Sequence, residues 1–276
     1  MIVEFYGVRG SAPTPGQQTV KYGGNTPCTY IESSKGDTLV LDSGTGIVGL
    51  GQRLIKEEKD IYILLTHNHW DHIQGFPFFA PIYQFNRNIH IYVPPTDPPL
   101  YEAILKQMEH PFFPVPHDEL HANVKIHGLV DHEPTMKLCN FSIATKRLNH
   151  PNGGYAYRIE NKEGSIGYIV DNELDPPYEK ATTWEEWVDF LQGVDIMIHD
   201  AQYTQDEMPH KHGWGHSLIE DVVQLAKEAR VGTLILFSHD PARSDEQVDE
   251  LVRNLRKRTY DFRIIAAREG MCLSQP

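Results

Sequence analysis

The chain has no hydrophobic run approaching the roughly 20 residues that span a bilayer, so nothing in it reads as a membrane span. Its first residues, MIVEFYGVRG, lack a basic segment leading into a long apolar one, which argues against a secretory signal. Cysteine is scarce: Cys28, Cys139 and Cys272 are 3 in 276 residues, and no CxxC pair exists. They read as free, mostly buried thiols of a reducing compartment, and the expected location is the cytoplasm. Positive charge is also short, with 25 Lys and Arg against 38 Asp and Glu, a net −13. Proteins that grip long nucleic acid gain affinity by neutralising phosphates. The one dense basic run, Arg253 to Arg258, reads as the solvated face of a late helix. Neither long nucleic acid nor a membrane is an expected partner, whereas a small anionic substrate held by a metal fits this balance. No GxGxxG follows a strand and no GxxxxGK[ST] occurs, so those nucleotide-cofactor signals are missing.

With 40% hydrophobic and 23% charged residues, the composition is that of a folded globular protein. Short apolar segments alternate with Gly, Pro and Asn. They predict strands at 2–7, 29–32, 38–41, 61–65, 89–93, 123–127, 141–147, 154–159, 165–170, 195–198, 233–237 and 262–266. Continuous runs such as IYILL at 61–65 suit strands buried on both faces. Helical spacing predicts helices at 47–57, 99–109, 183–192, 218–229 and 245–257, the fourth capped by Ser217. Segment 75–120 differs, being rich in proline and aromatics (FPFFAPIY, HPFFPVP). No linker, repeat or low-complexity tract divides the chain. The expectation is one α/β domain over 1–276, with an insertion at about 75–120 whose aromatics pack as core or form a substrate lid. The order of elements suggests a layered fold with mixed sheets.

Directly after the 61–65 strand stand His67, His69, Asp71 and His72 (HNHWDH). Neutral imidazole is a strong zinc ligand, and carboxylate oxygen suits zinc, manganese or iron. In an extended segment His67 and His69 point the same way, with Asp71 and His72 on the following turn. So many polar groups at the end of a buried strand are costly unless something satisfies them.

This HxHxDH motif after an apolar strand resembles the metallo-β-lactamase superfamily, across nearly the whole chain. The resemblance implies a four-layer αβ/βα sandwich of two mixed β-sheets with a dinuclear metal site at the strand ends. It implies three further ligands in order, for which the sequence offers His150, Asp171 and His239, each closing or following a predicted strand. By that resemblance His67, His69 and His150 hold one metal, Asp71, His72 and His239 the second, and Asp171 bridges them. Two divalent ions per chain are implied, zinc first, with manganese or iron as alternatives.

Fold alone does not choose among the superfamily's activities. His150 lies in NHPNGGYAYRI, which resembles the ribonuclease Z and phosphodiesterase branch. So does His199-Asp200-Ala201-Gln202-Tyr203, followed by Glu207 and Gly215-His216-Ser217. In that branch the corresponding histidine contacts the scissile phosphate, which makes His216 a catalytic candidate. Asp200 and Glu207 are candidates to orient it. Asp71 is expected to act on the nucleophile's proton besides ligating. Asp42, in LDSG, is expected to hold the loops beneath the metals. His210 and His212 read as solvated. The segments GVRGSAPTPG and YGGNTPC resemble a phosphodiesterase-like subgroup, with the turn Gly23 to Thr26 able to approach the site. The long basic arm by which ribonuclease Z clamps transfer RNA has no counterpart.

The expected activity is hydrolysis of a small phosphodiester, a cyclic nucleotide first, by a hydroxide bridging two metals. A ribonuclease Z-like nuclease and a carboxylic ester, thioester or lactone hydrolase are the alternatives. Family analogy suggests a homodimer.

Overall fold

The computed structural model describes residues 1–95, 102–130 and 135–274. The strands, in chain order, are β1 Ile2–Gly7, β2 Cys28–Glu32, β3 Thr38–Leu41, β4 Ile61–Leu64, β5 Asn88–Val93, β6 Asn123–Gly128, β7 Met136–Leu138 and β8 Phe141–Arg147. They continue as β9 Tyr155–Asn161, β10 Gly164–Ile169, β11 Ile196–Asp200, β12 Thr233–Phe237, β13 Arg263–Ala266 and β14 Cys272–Ser274. They form two seven-stranded sheets, β14-β1-β2-β3-β4-β5-β6 and β13-β12-β11-β10-β9-β8-β7. Both are mixed: β3 to β6 and β10 to β13 run parallel, and the β1–β2, β2–β3, β8–β9 and β9–β10 pairs are antiparallel.

Three apolar layers hold this arrangement, and strand alternation assigns each side chain to one of them. On β12, Ile235 and Phe237 enter the layer between the sheets, joined by Phe5, Leu64 and Ile198. Leu234 and Leu236 face the other way, into a layer with Trp187, Leu225 and Val252. That outer layer is covered by the helices Trp184–Leu191, Ile219–Glu228 and Asp245–Leu255. On β4, Ile61 and Ile63 meet Ile47, Leu50, Phe76 and Phe79 from the helix Gly46–Leu54 and the aromatic segment. The continuous apolar runs therefore have apolar neighbours on both faces, and each fully buried large side chain contributes about 1.5–3 kcal/mol. The result is helix, sheet, sheet, helix.

The helix starts show their chemistry locally. Thr183 and Ser244 cap their helices, and each forms a reciprocal capping box, with Glu186 and Gln247 respectively. Ser217 does not cap the helix Ile219–Glu228. Leu218 stands at the cap position, and the Ser217 hydroxyl donates to Asn172 O at 2.5 Å. In the expected 99–109 helix only Ala103–Lys106 is helical, and the start of that range lies outside the described residues. Two short edge strands, β7 and β14, carry too little periodicity to be seen in advance. Of the thiols only Cys28 is buried; Cys139 and Cys272 are exposed. The aromatic segment is mostly core: Phe76, Phe79 and Ile82 are fully buried, while Phe78, Phe85 and Phe112 remain exposed. Among the described residues no helix is long and apolar enough to cross a membrane.

Candidate metal centre and active site

The loops at one end of β3, β4, β10, β11 and β12 converge. Asp42, Asp171 and Ser238, each just beyond the end of its strand, share a left-handed backbone with φ of 60°, 53° and 53°. Non-glycine residues adopt this conformation infrequently, and it costs free energy that the surrounding contacts must offset. Here it turns three short side chains toward one centre.

His67, His69, His150 and Asp171 lie with their ligand-type atoms within 4.8 Å of one another, and Asp71, His72 and Asp171 form a second such group. His69 Nδ1 and His150 Nε2 meet at 3.0 Å. His150 donates its Nδ1–H to Gly215 O at 2.8 Å, which fixes the tautomer and leaves Nε2 bare toward the cluster. His67 Nε2 is buried without a hydrogen-bond partner. A buried, bare imidazole nitrogen among other imidazoles and a carboxylate is what a divalent cation satisfies. The residues present therefore fit a divalent metal.

Asp42 sits beneath this cluster. Its carboxylate accepts from Thr66 N at 2.8 Å and from Tyr168 OH at 3.1 Å, and lies 3.0 Å from His72 Nδ1. It thus ties the histidine loop to β10 and orients His72, the position proposed for it from sequence. His72 Nε2 faces Asp171 Oδ2 at 3.2 Å and Asp71 Oδ2 at 3.3 Å. Burial disfavours a charged His72, but Asp71, Asp171 and Asp42 outweigh it and raise its pKa well above the usual value. Three buried carboxylates call for positive charge, which a bound cation also supplies. Burial pushes the His67 pKa well down, with His72 and His150 adding to it, and burial lowers His150 to about 4. Burial opposes ionisation of Asp171, yet His72 and His216 hold its carboxyl well below the carboxylate range.

His216 Nδ1 pairs with Asp200 Oδ2 at 2.7 Å and lies 4.0 Å from Asp171 Oδ1. Burial disfavours its charge, but Asp200 and Asp171 raise its pKa to about 9. Asp200 also receives Ser217 N at 3.0 Å, so one carboxylate fixes both the ring and its backbone.

Two sequence expectations need correction. His239 does not join either ligand group. Its Nε2–H donates to Ala267 O at 2.9 Å, and its ring packs edge-on to Tyr22, 5.6 Å between centroids. Ser238 faces the centre instead, with its hydroxyl 3.3 Å from Asp171 Oδ1. Along an extended chain neighbouring side chains point to opposite sides, so an offset of one residue reverses the outcome. Glu207 does not orient His216. Its carboxylate receives Thr204 N at 2.8 Å and pairs with Arg243 at 2.6 Å, bracing the loop after β11.

Several residues were not foreseen. Glu173, fully buried, accepts from the backbone N–H groups of Gly213 and Gly215 at 2.8 Å each and so shapes the loop that presents His216. Gly215, at φ 87°, leaves no space for a Cβ, which would collide with His150 Nδ1. Ser11 N–H donates to Asp71 Oδ2 at 2.9 Å, so the N-terminal loop reaches the site. The turn Gly23 to Thr26 supports that loop from behind: Asn25 O accepts from Val8 N and Arg9 N. His212 is half exposed and donates to Asp175 O, and His210 is exposed. The centre opens into a cleft of about 450 Å³ bordered by Ser11, Gln202, Tyr203, Lys211 and Trp214. Among the described residues none from 75–120 borders it, so the lid expectation does not hold for them.

A four-layer sandwich with a histidine and aspartate cluster at its strand ends defines a metal-dependent hydrolase of the metallo-β-lactamase kind. The model of the beta-lactamase superfamily domain matches residues 38–239, and the chain belongs to that family, in its ribonuclease Z and phosphodiesterase-like branch. Ribonuclease Z of Haloarcula marismortui is 22% identical over 316 aligned positions, covering 98% of this chain and 96% of that protein. The solved metallo-beta-lactamase fold protein YhfI from Bacillus subtilis superposes with a TM-score of 0.72 at 19% identity, covering 99% of both chains. A diphosphatase of the PhnP family gives a TM-score of 0.66 at 18% identity, covering 99% of this chain and 97% of that one.

Proposed function

We propose that the protein is a metal-dependent phosphodiesterase acting on a small phosphodiester, a cyclic nucleotide being the first to test. The carrying observation is the buried Asp200–His216 pair set against Asp171 at the floor of a cleft of about 450 Å³. That size suits a nucleotide rather than a folded RNA. His67, His69, His150, Asp171, Asp71 and His72 are the residues that would hold two divalent metals. Bound there, such metals supply a nucleophile from water at neutral pH and polarise phosphoryl oxygens. Asp71, steadied by Ser11 N–H, takes up the attacking water's proton. Asp200 holds Nδ1 of His216, so the Nε2 side of the ring serves the phosphate or the leaving oxygen. Trp214, 61% exposed at the cleft rim, offers a stacking face for a base. Lys211 carries little free charge toward a polyanion, because its ammonium lies 2.6 Å from Asp240.

A ribonuclease Z-like nuclease is an equal candidate, favoured by relatives that span the chain and by one surface feature. A second cavity, about 850 Å³, is bordered by Lys21, Arg253, Arg256, Lys257 and Arg268, enough cations to receive a phosphate backbone. The deciding assay compares bis(p-nitrophenyl) phosphate and 3′,5′-cyclic AMP with a precursor transfer RNA, a thioester and a lactone, reading metal content on the same sample. Turnover of the small phosphodiesters with weak salt dependence supports the leading reading. Cleavage of the RNA alone, falling steeply with salt, would select the nuclease. Activity on the acyl substrates alone would reject both.

A further inference from the structure

We infer that the two metal positions are unequal, one a tight nitrogen-rich site and the other a weaker, exchangeable, oxygen-rich one. This rests on the metal-dependent reading above and goes beyond it. The first position has three imidazoles, His67, His69 and His150, with Asp171. That is a complete tetrahedral donor set for a zinc-like ion. The second has one imidazole, His72, with Asp71 and the same Asp171. Asp171 cannot serve both positions with undivided charge.

The strand end facing the second position is where a fourth donor belongs, and it carries Ser238. Its hydroxyl is neutral and already engaged with Asp171 Oδ1 at 3.3 Å and Gln202 Oε1 at 3.4 Å. The neighbouring imidazole, His239, is committed to Ala267 O on the far side of the backbone. His216 does not substitute, because its Nδ1 is held by Asp200 at 2.7 Å. With one nitrogen and two carboxylates, this position favours a harder ion such as manganese or magnesium over zinc. Occupancy of the second position, and with it the fully active state, then follows the concentration of that ion around the protein.

The test counts ions on the full chain. After gel filtration in metal-free buffer, elemental analysis should find about one zinc per chain. Manganese titration followed by electron paramagnetic resonance should then show a second site at least about 100-fold weaker than the first. Asp71→Asn should abolish the weak site and keep the tight ion, and His69→Ala should do the reverse. Ser238→Ala should leave both counts unchanged, since the hydroxyl is no ligand. Two zinc ions surviving filtration with similar affinities would overturn the inequality. So would loss of the manganese site in Ser238→Ala. Retention of no metal under any loading would instead overturn the metal-dependent reading itself.

Discussion

Replacing His239 with glutamine tests the assignment of that residue to the frame rather than to the metal. Burial holds its pKa near 3, against the Ala267 bond that favours the ring N–H. In an unfolded chain a histidine titrates near 6.5. Between these values the unfolded state binds the extra proton, so stability is intact above about pH 6.5 and falls as pH drops toward 3. At pH 5 the gap from the unfolded value is about 1.5 units, which at ~1.36 kcal/mol per unit is a loss of about 2 kcal/mol. Glutamine cannot titrate, though it weakens the contact with Ala267 O and costs about 1 kcal/mol at pH 8. Urea unfolding of both proteins at pH 8 and pH 5 isolates the effect, because the other buried histidines cancel in the difference. Between these two pH values the wild type should lose about 2 kcal/mol more than His239→Gln, so their order reverses at pH 5. Metal content at pH 8 should be equal in both. Parallel pH profiles, or an ion missing from the variant, would refute the reasoning.

Three other outcomes follow from the site. His216→Ala should keep its metal content and lower phosphodiester kcat by about 10²-fold or more, whereas unchanged turnover removes His216 from the chemistry. Asp171→Ala, lacking the carboxylate common to both ligand groups, should lose metal together with activity in a paired elemental and kinetic measurement. Glu207→Gln should lower the thermal midpoint through its contacts with Thr204 and Arg243 while leaving kcat and its pH profile in place. A shifted pH profile would return Glu207 to the His216 pair.

The HxHxDH cluster was readable because its members are close in sequence and follow an apolar strand, where polar groups need a reason. The order His150, Asp171 and Asp200-to-His216 was readable because each falls at a predicted strand or helix end, and rigid elements hold sites well. The partner of Glu207 was not readable, since Arg243 lies 36 residues away and no local pattern joins them. Nor was Glu173, whose role depends on where a distant glycine loop folds back.

The sequence by itself determined the layers, because alternating or continuous apolar strands have few ways to bury both faces. It also determined that metal chemistry sits at the strand ends, because so many imidazoles and carboxylates cannot be buried there without a cation. The tertiary structure alone decided which of two adjacent residues faces that centre. Ser238 and His239 differ by one position, and a left-handed turn at Ser238 sends the hydroxyl inward and the imidazole to Ala267. Composition does not register such a turn, because the contacts that hold it come from β1, β10 and the segment after β13, all remote in the chain.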